Sequence, residues 1–118
     1  MIALSWNCRG LGNLRAVEVL AELVRKQVPT ILFLMETKLT DREMEPIKVE
    51  LGFPSMLAVS CDNQRGGIAL LWRTNVTVDT RTYSPNHIDV RVHTQASPLW
   101  RLTGIYGHPE ERRKTETW

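Results

Sequence analysis

Two apolar runs separated by one amphipathic segment constrain the fold of this chain most strongly. The runs cover residues 2–8 and 30–35; Asn7 lies at the end of the first, and Glu36 directly follows the second. The segment between them carries apolar residues at helical spacing, so the pattern predicts strand, helix and parallel strand. Ligands gather at the carboxyl ends of such strands. We therefore expect Asn7 and Glu36 to meet there as half of a metal and phosphate site.

Length and charge bound the class of protein. The chain has 118 residues, enough for one domain, and its apolar content of 42% is ordinary for a globular protein. Its formal net charge of +2 is too small to demand a nucleic-acid partner. No run approaches the ~18 apolar residues of a membrane span, and no signal peptide is recognisable, so we expect an intracellular protein with no membrane partner. Cys8 and Cys61 are expected to be reduced thiols.

The helical segments carry their own start and stop signals. Asn13 is a suitable N-cap for the first helix, and Pro29 should close it. Thr40 and Glu43 match a capping box for a second helix. Pro46 should interrupt that helix, because an internal proline removes a hydrogen bond. We therefore expect a short turn there, followed by a fresh helical start at Pro46.

After residue 54 the pattern changes to strand after strand. Expected strands include residues 55–60, 68–72, 88–92 and 102–106, and several alternate apolar and polar side chains. Such alternation indicates one covered face and one solvated face. The fold class is therefore α/β, with a strand-helix-strand start followed by mainly antiparallel strands. We expect one sheet with helices on one side.

Each candidate site residue has a structural as well as a functional interpretation. The carboxylate of Glu36 could anchor a hard divalent cation, or it could be a solvated charge at a strand end. Asn7 could donate to a phosphate oxygen, or it could satisfy main-chain groups of the following loop. Tyr106 could hydrogen-bond a phosphate, or it could cover the core with its hydroxyl group in water.

The turn after the first strand also resembles a dinucleotide-binding turn. Gly10 and Gly12 open a helix, as glycines do in that motif. The position of the third glycine is occupied by Arg15, and hairpin-like strands replace the expected βαβ continuation. A dinucleotide-binding domain is therefore the least favoured of the hypotheses.

Four motifs, taken in order and spacing, resemble the endonuclease/exonuclease/phosphatase superfamily. They are WNCRGL at 6–11, METKL at 35–39, GGIALLW at 66–72 and LTGIYG at 102–107. The chain is similar in particular to the apurinic-type endonuclease domain of plant LINE-type, non-LTR retrotransposons. The resemblance implies a four-layer α/β sandwich, of which residues 1–118 would be the N-terminal half. It also implies cleavage of phosphoester bonds with Mg²⁺ or Mn²⁺.

The resemblance assigns roles to three residues. Glu36 corresponds to the metal-binding glutamate, Asn7 to the asparagine that positions metal and nucleophile, and Tyr106 to the tyrosine that contacts the scissile phosphate. Arg9 is a departure, because nuclease relatives carry an acidic residue there. The resemblance further implies DNA, through its phosphate backbone, as a partner and the nucleus as the location.

Two motifs of the superfamily, Asp-x-Asn and Ser-Asp-His, do not occur in this chain. They supply further carboxylates and the histidine that activates water, and phosphodiester hydrolysis needs such a base. The leading hypothesis is therefore a truncated, magnesium-dependent, endonuclease-like domain of retrotransposon origin that is inactive alone. The alternative is a non-catalytic nucleic-acid-binding or interaction remnant. We also expect an exposed apolar face, through which the chain self-associates or pairs with the missing half.

Overall fold

The computed structural model describes residues 2–61, 65–94 and 100–105. Within these ranges the chain forms β1 (Ala3–Asn7), α1 (Leu14–Gln27), β2 (Ile31–Met35), α2 (Asp41–Leu51), β3 (Ser55–Val59), β4 (Ile68–Trp72), β5 (Thr77–Ser84), β6 (His87–His93) and β7 (Trp100–Ile105). Neither of these two helices is long and apolar enough to cross a membrane.

The strands divide into two sheets. The first has the order β1-β2-β4-β3, with β1 parallel to β2 and the remaining pairs antiparallel. The second is the antiparallel sheet β5-β6-β7. The predicted α/β class, its strand-helix-strand start and its antiparallel continuation are confirmed. The expectation of one sheet is wrong, because β2 and β4 are apolar on both faces and the helices can cover only one of them.

Two apolar cores follow from this layering. Leu32 and Leu34 of β2 face the helices, whereas Ile31 and Phe33 of the same strand face the second sheet. All four side chains are fully buried. The sheets approach closely at Gly104, where a Cβ atom would lie 2.8 Å from the ring of Phe33. The described layers are thus helices, sheet and sheet, in that order.

The outer face of the second sheet is polar. Along β6, the side chains of Ile88, Val90 and Val92 are buried against the first sheet, whereas Arg91 is exposed on the other face. Arg101 and Thr103 of β7 lie on that outer face and hydrogen-bond Asp89. Within the described ranges, the apolar face expected from the sequence is therefore not found on this sheet. The strict alternation of β6 has already turned its apolar side chains inward.

Both helices begin where the sequence predicts. The Asn13 side chain accepts from the N–H of Ala16 at 2.8 Å, and Thr40 and Glu43 form the complete capping box. The expected interruption at Pro46 is wrong, because α2 continues through it to Leu51. Pro46 lies on the exposed face, so water can bond the carbonyl that proline leaves without a donor. The opposite face of α2 is buried through Met44, Ile47 and Leu51.

Candidate active site at the carboxyl ends of β1 and β2

The structure brings Asn7 and Glu36 to the same edge of the first sheet. β1 and β2 run parallel, with Asn7 in register with Met35. Beyond the regular strands, the N–H of Cys8 donates to the carbonyl of Met35 at 2.8 Å, and the N–H of Gly10 donates to that of Glu36 at 2.7 Å. The two chain segments therefore stay paired past the ends of the strands, and Asn7 and Glu36 are close neighbours.

A third segment completes this edge from the other side. The N–H of Thr37 donates to the carbonyl of Gly67 at 3.0 Å, and the N–H of Lys38 donates to that of Gly66 at 2.8 Å. The main chain after β2 is thus fixed on both sides. We call residues 7–11, 36–38 and 66–67 together the strand-end edge.

The strand-end edge contains most of the left-handed main chain in the described residues. Arg9, Glu36 and Lys38 have φ angles of 52°, 51° and 57°, and Gly10, Gly66 and Gly67 are also left-handed. The other two positive φ angles in the described ranges belong to the C-cap residues of the helices, Val28 and Gly52. A non-glycine residue in this conformation costs about 1–3 kcal/mol, and such strain clusters at functional sites.

Gly67 allows the close approach of the segment that directly follows Glu36. A Cβ atom on Gly67 would collide with Oγ1 of Thr37, and it would lie 3.1 Å from the nitrogen of Lys38 and 3.3 Å from the carbonyl oxygen of Leu39. Thr37 is itself buried, at 1% exposure, so it cannot move aside into solvent. Sequence reasoning missed both Thr37 and Gly67. Their signal was their place in two motifs of the family resemblance, METKL at 35–39 and GGIALLW at 66–72, to which no role was assigned.

The carboxylate of Glu36 also affects a neighbouring thiol. Burial, as the larger cause, and the negative charge of Glu36, as the second, together raise the pKa of Cys8 to about 12. This coupling places the Glu36 carboxylate near the end of β1. At neutral pH the Cys8 thiol is therefore protonated, which makes it a poor nucleophile.

Asn7 has the structural role that the sequence allowed. Its Oδ1 accepts a hydrogen bond from the N–H of Arg9 at 3.1 Å, which holds the loop after β1. No described residue accepts a hydrogen bond from its Nδ2 group, which can therefore donate to a ligand. The third predicted site residue, Tyr106, lies outside the described residues.

The donor set of the edge fits a hard divalent cation only in part. Mg²⁺ binds through one or two carboxylates and completes its octahedron with waters and substrate phosphate oxygens. Glu36 supplies one carboxylate, and Asn7 supplies an amide oxygen that already accepts one hydrogen bond. Among the described residues, no three His, Cys, Asp or Glu side chains converge as a metal cluster. The edge can therefore anchor such an ion but does not enclose it.

Solved structures share this fold at low sequence identity. The AP endonuclease LMAP from Leishmania major matches 92% of this chain with a TM-score of 0.60 and 16% identity. The catalytic domain of APE2 from Xenopus laevis matches 97% with a TM-score of 0.61 and 16% identity. Truncated TDP2 from Caenorhabditis elegans matches 94% with a TM-score of 0.58 and 21% identity. The chain spans 42%, 48% and 49% of these three structures, respectively.

Sequence comparison gives the family directly. A search of curated protein sequences found no match. The profile of the endonuclease/exonuclease/phosphatase family, in contrast, matches residues 4–118, which is nearly the whole chain and includes all three segments of the strand-end edge. This chain therefore belongs to the endonuclease/exonuclease/phosphatase family.

Proposed function

We propose that this chain carries one side of a metal-dependent site for phosphodiester hydrolysis, with DNA as the substrate. The observation that carries the proposal is the strand-end edge, where hydrogen bonds on both sides fix the strained main chain of Glu36 next to Asn7. Strain of this kind persists only where the surrounding structure imposes it. Family membership supports the reaction class, and the name of one structural neighbour, the AP endonuclease LMAP, favours an endonuclease.

The proposed roles follow from the chemistry of the side chains. The carboxylate of Glu36 would hold Mg²⁺ or Mn²⁺, which when bound supplies positive charge to a phosphoryl oxygen. The Nδ2 group of Asn7 would donate a hydrogen bond to the same phosphate, while its Oδ1 holds the loop. The role of Tyr106 in contacting the scissile phosphate rests on its place in the motif LTGIYG alone.

We further propose that these 118 residues do not turn over a phosphodiester by themselves. Hydrolysis needs a positioned water and a base as well as charge stabilisation. The strand-end edge contains one carboxylate, that of Glu36, and no histidine. This set of residues fits a half-domain of the family, and we propose that its origin is a retrotransposon and that it acts in the nucleus. Its origin and location rest on the resemblance of the four motifs.

Binding of Mn²⁺ tests the metal site without requiring activity. Titration followed by electron paramagnetic resonance should show a weak site that Glu36→Gln removes. The matched control is Glu18→Gln on the exposed face of α1, which makes the same charge change away from the edge and should leave the site intact. Equal binding by the wild-type chain and Glu36→Gln would refute the site.

Activity is tested separately with supercoiled plasmid and Mg²⁺. We expect no nicking above background from the purified 118-residue chain. Nicking that Glu36→Ala abolishes would show that the chain is a working nuclease, and it would overturn the proposed inactivity while supporting the metal site.

A non-catalytic nucleic-acid-binding module is the second candidate function. Two exposed cations of the strand-end edge, Arg9 and Lys38, favour it. Binding of this kind would weaken with salt and would be indifferent to Mg²⁺ and to loss of Glu36. Only the first candidate predicts that Mg²⁺ strengthens DNA binding and that Glu36→Gln removes this gain, so these two measurements distinguish the candidates.

A further inference from the structure

An open cavity of about 610 Å³ lies beside the strand-end edge. It is bordered by the loop that enters α1 and the loop that enters α2, and it is lined by residues of both. Of the lining residues that the structure describes, two are cations, Arg9 and Lys38, which lie on opposite segments. Each lies two positions beyond a candidate site residue, Arg9 after Asn7 and Lys38 after Glu36.

The conformation of both cations is imposed by the fold. Arg9 and Lys38 are left-handed and exposed, and neither forms an ion pair with an acidic residue in the described part of the chain. A Cβ atom on Gly10 would lie 3.4 Å from Cδ of Lys38, so the lysine stem crosses the β1 loop next to Arg9. The side chains of Arg9 and Lys38 therefore lie next to each other at the same cavity.

The other polar groups of the cavity are already engaged. Glu43 is the one carboxylate among the described lining residues, and its Oε1 accepts the N–H of Thr40 at 2.9 Å in the capping box. Asn13 likewise accepts the N–H of Ala16 at the start of α1. Attraction for an anion therefore comes from Arg9 and Lys38.

We propose that this cavity binds a second phosphate of a nucleic-acid strand, next to the phosphate at the strand-end edge. Two residues of extended chain span at most ~7 Å, and a nucleotide rises about 3.4 Å along the axis of its strand. The main-chain atoms of Arg9 and Lys38 thus lie within about two nucleotide rises of those of Asn7 and Glu36, respectively. The inference rests on the proposed function and narrows it, because a site with two phosphate positions selects a polymer over a small phosphate monoester.

DNA binding in EDTA tests the subsite apart from the metal. Fluorescence anisotropy of a labelled short DNA duplex should give an affinity that falls roughly tenfold per cation removed at about 0.1 M NaCl, measured in Arg9→Gln, Lys38→Gln and the double variant. The slope of log affinity against log salt should decrease by about 0.9 for each. Arg9→Lys and Lys38→Arg keep the charge and should retain binding.

Lys26→Gln is the matched control for charge. Lys26 lies in the last turn of α1, about 18 Å along the helix from its first residue. It should leave the affinity and the salt slope unchanged. An equal loss of affinity in Lys26→Gln and the double variant, or no DNA binding by the wild-type chain, would overturn the proposal.

Inorganic phosphate and a mononucleotide are the competing probes. Neither should displace the duplex at concentrations comparable to that of DNA phosphate, because each occupies only one of the two phosphate positions. Displacement by either probe at such concentrations would refute the claim that the site prefers a nucleic-acid strand to a small phosphate monoester. Mn²⁺ binding should persist in the double variant. If Glu36→Gln leaves Mn²⁺ binding unchanged while the salt slope still depends on Arg9 and Lys38, the proposed function fails and the subsite stands.

Discussion

Asp89 lies on β6 and Glu36 directly follows β2, and the protein holds these two carboxylates in different ways. Asp89 on β6 is 5% exposed, and Arg101 donates to its two oxygens at 2.9 and 2.7 Å. The hydroxyl of Thr103 donates to Oδ1 at 3.1 Å. These contacts, led by the hydrogen bond from Arg101, hold the pKa of Asp89 below its ordinary value. Glu36, in contrast, is positioned by main-chain hydrogen bonds on both sides of the strand-end edge.

The difference separates a structural cluster from a candidate site. Around Asp89, side chains of neighbouring strands satisfy one another, so the cluster stabilises the second sheet and offers little to a ligand. At the strand-end edge, three non-glycine residues adopt the strained left-handed conformation, which they would not adopt without the surrounding contacts. Substitutions at the edge should therefore change the strain of the main chain or the pKa of Cys8. Substitutions around Asp89 should only remove the hydrogen bonds of that side chain.

The largest expected effect concerns the thiol at the edge. In a Cys61→Ser background, alkylation of Cys8 by iodoacetamide at pH 8 should be roughly 10³-fold slower in the folded than in the urea-unfolded chain, because the thiolate fraction is so low. Glu36→Gln should speed the folded reaction several-fold by removing the second cause of the raised pKa. An unchanged rate in Glu36→Gln would show that the carboxylate does not face β1.

Substitution of Gly67 should destabilise the edge next most strongly. Gly67→Ala combines a left-handed main chain, φ 84°, with the collision with Thr37, and we expect a loss of about 2–4 kcal/mol in the free energy of unfolding by urea. Gly66→Ala has a similar φ of 70° but nothing within 4 Å of the added Cβ. It should cost about 1–2 kcal/mol. Equal losses in the two variants would mean that the Thr37 contact does not constrain the edge.

Asp89→Asn should have a smaller effect that depends on pH. Loss of the charged hydrogen bonds should cost about 1–2 kcal/mol near pH 7, whereas Asp79→Asn, at an exposed position of β5, should cost little. The lowered pKa means that the native carboxylate stabilises the fold above the unfolded value of about 3.9. This stabilisation is lost as pH falls toward the native pKa, so the difference between wild type and Asp89→Asn should shrink below pH ~4. A constant difference in urea unfolding from pH 6 to 2 would contradict this.

The smallest expected effect is an increase in stability. Arg9→Gly should raise the free energy of unfolding by about 0.5–1 kcal/mol, because glycine adopts the left-handed conformation without a Cβ penalty. Arg42→Gly in α2 removes the same charge from a helix and should instead cost about 1 kcal/mol. Thermal unfolding at matched salt distinguishes the two signs. A destabilised Arg9→Gly would show that its conformation carries no strain.

Much of this fold is determined by local signals in the sequence. The capping residues Asn13 and Thr40 start both helices as their sequence patterns predict, because capping involves groups only a few residues apart. The apolar runs ending near Asn7 and Glu36 likewise predicted parallel strands with these residues at one end. Hydrophobic periodicity and capping act along the chain, so they can be recognised in the sequence alone.

Other features depend on contacts between distant segments, and the tertiary structure decided them. The second sheet forms because β2 and β4 bury both faces, so strands late in the chain must cover the face that the helices leave open. Pro46 stays inside α2 because the buried face of that helix outweighs one missing hydrogen bond.

The strand-end edge shows the same division most clearly. The sequence determined which amide and which carboxylate stand at the strand ends. It did not indicate that Glu36 is left-handed, since that conformation depends on hydrogen bonds to Gly10 on one side and on the pairing of Thr37 with Gly67 on the other. Local propensity disfavours the conformation, and only contacts across the sheet make it stable.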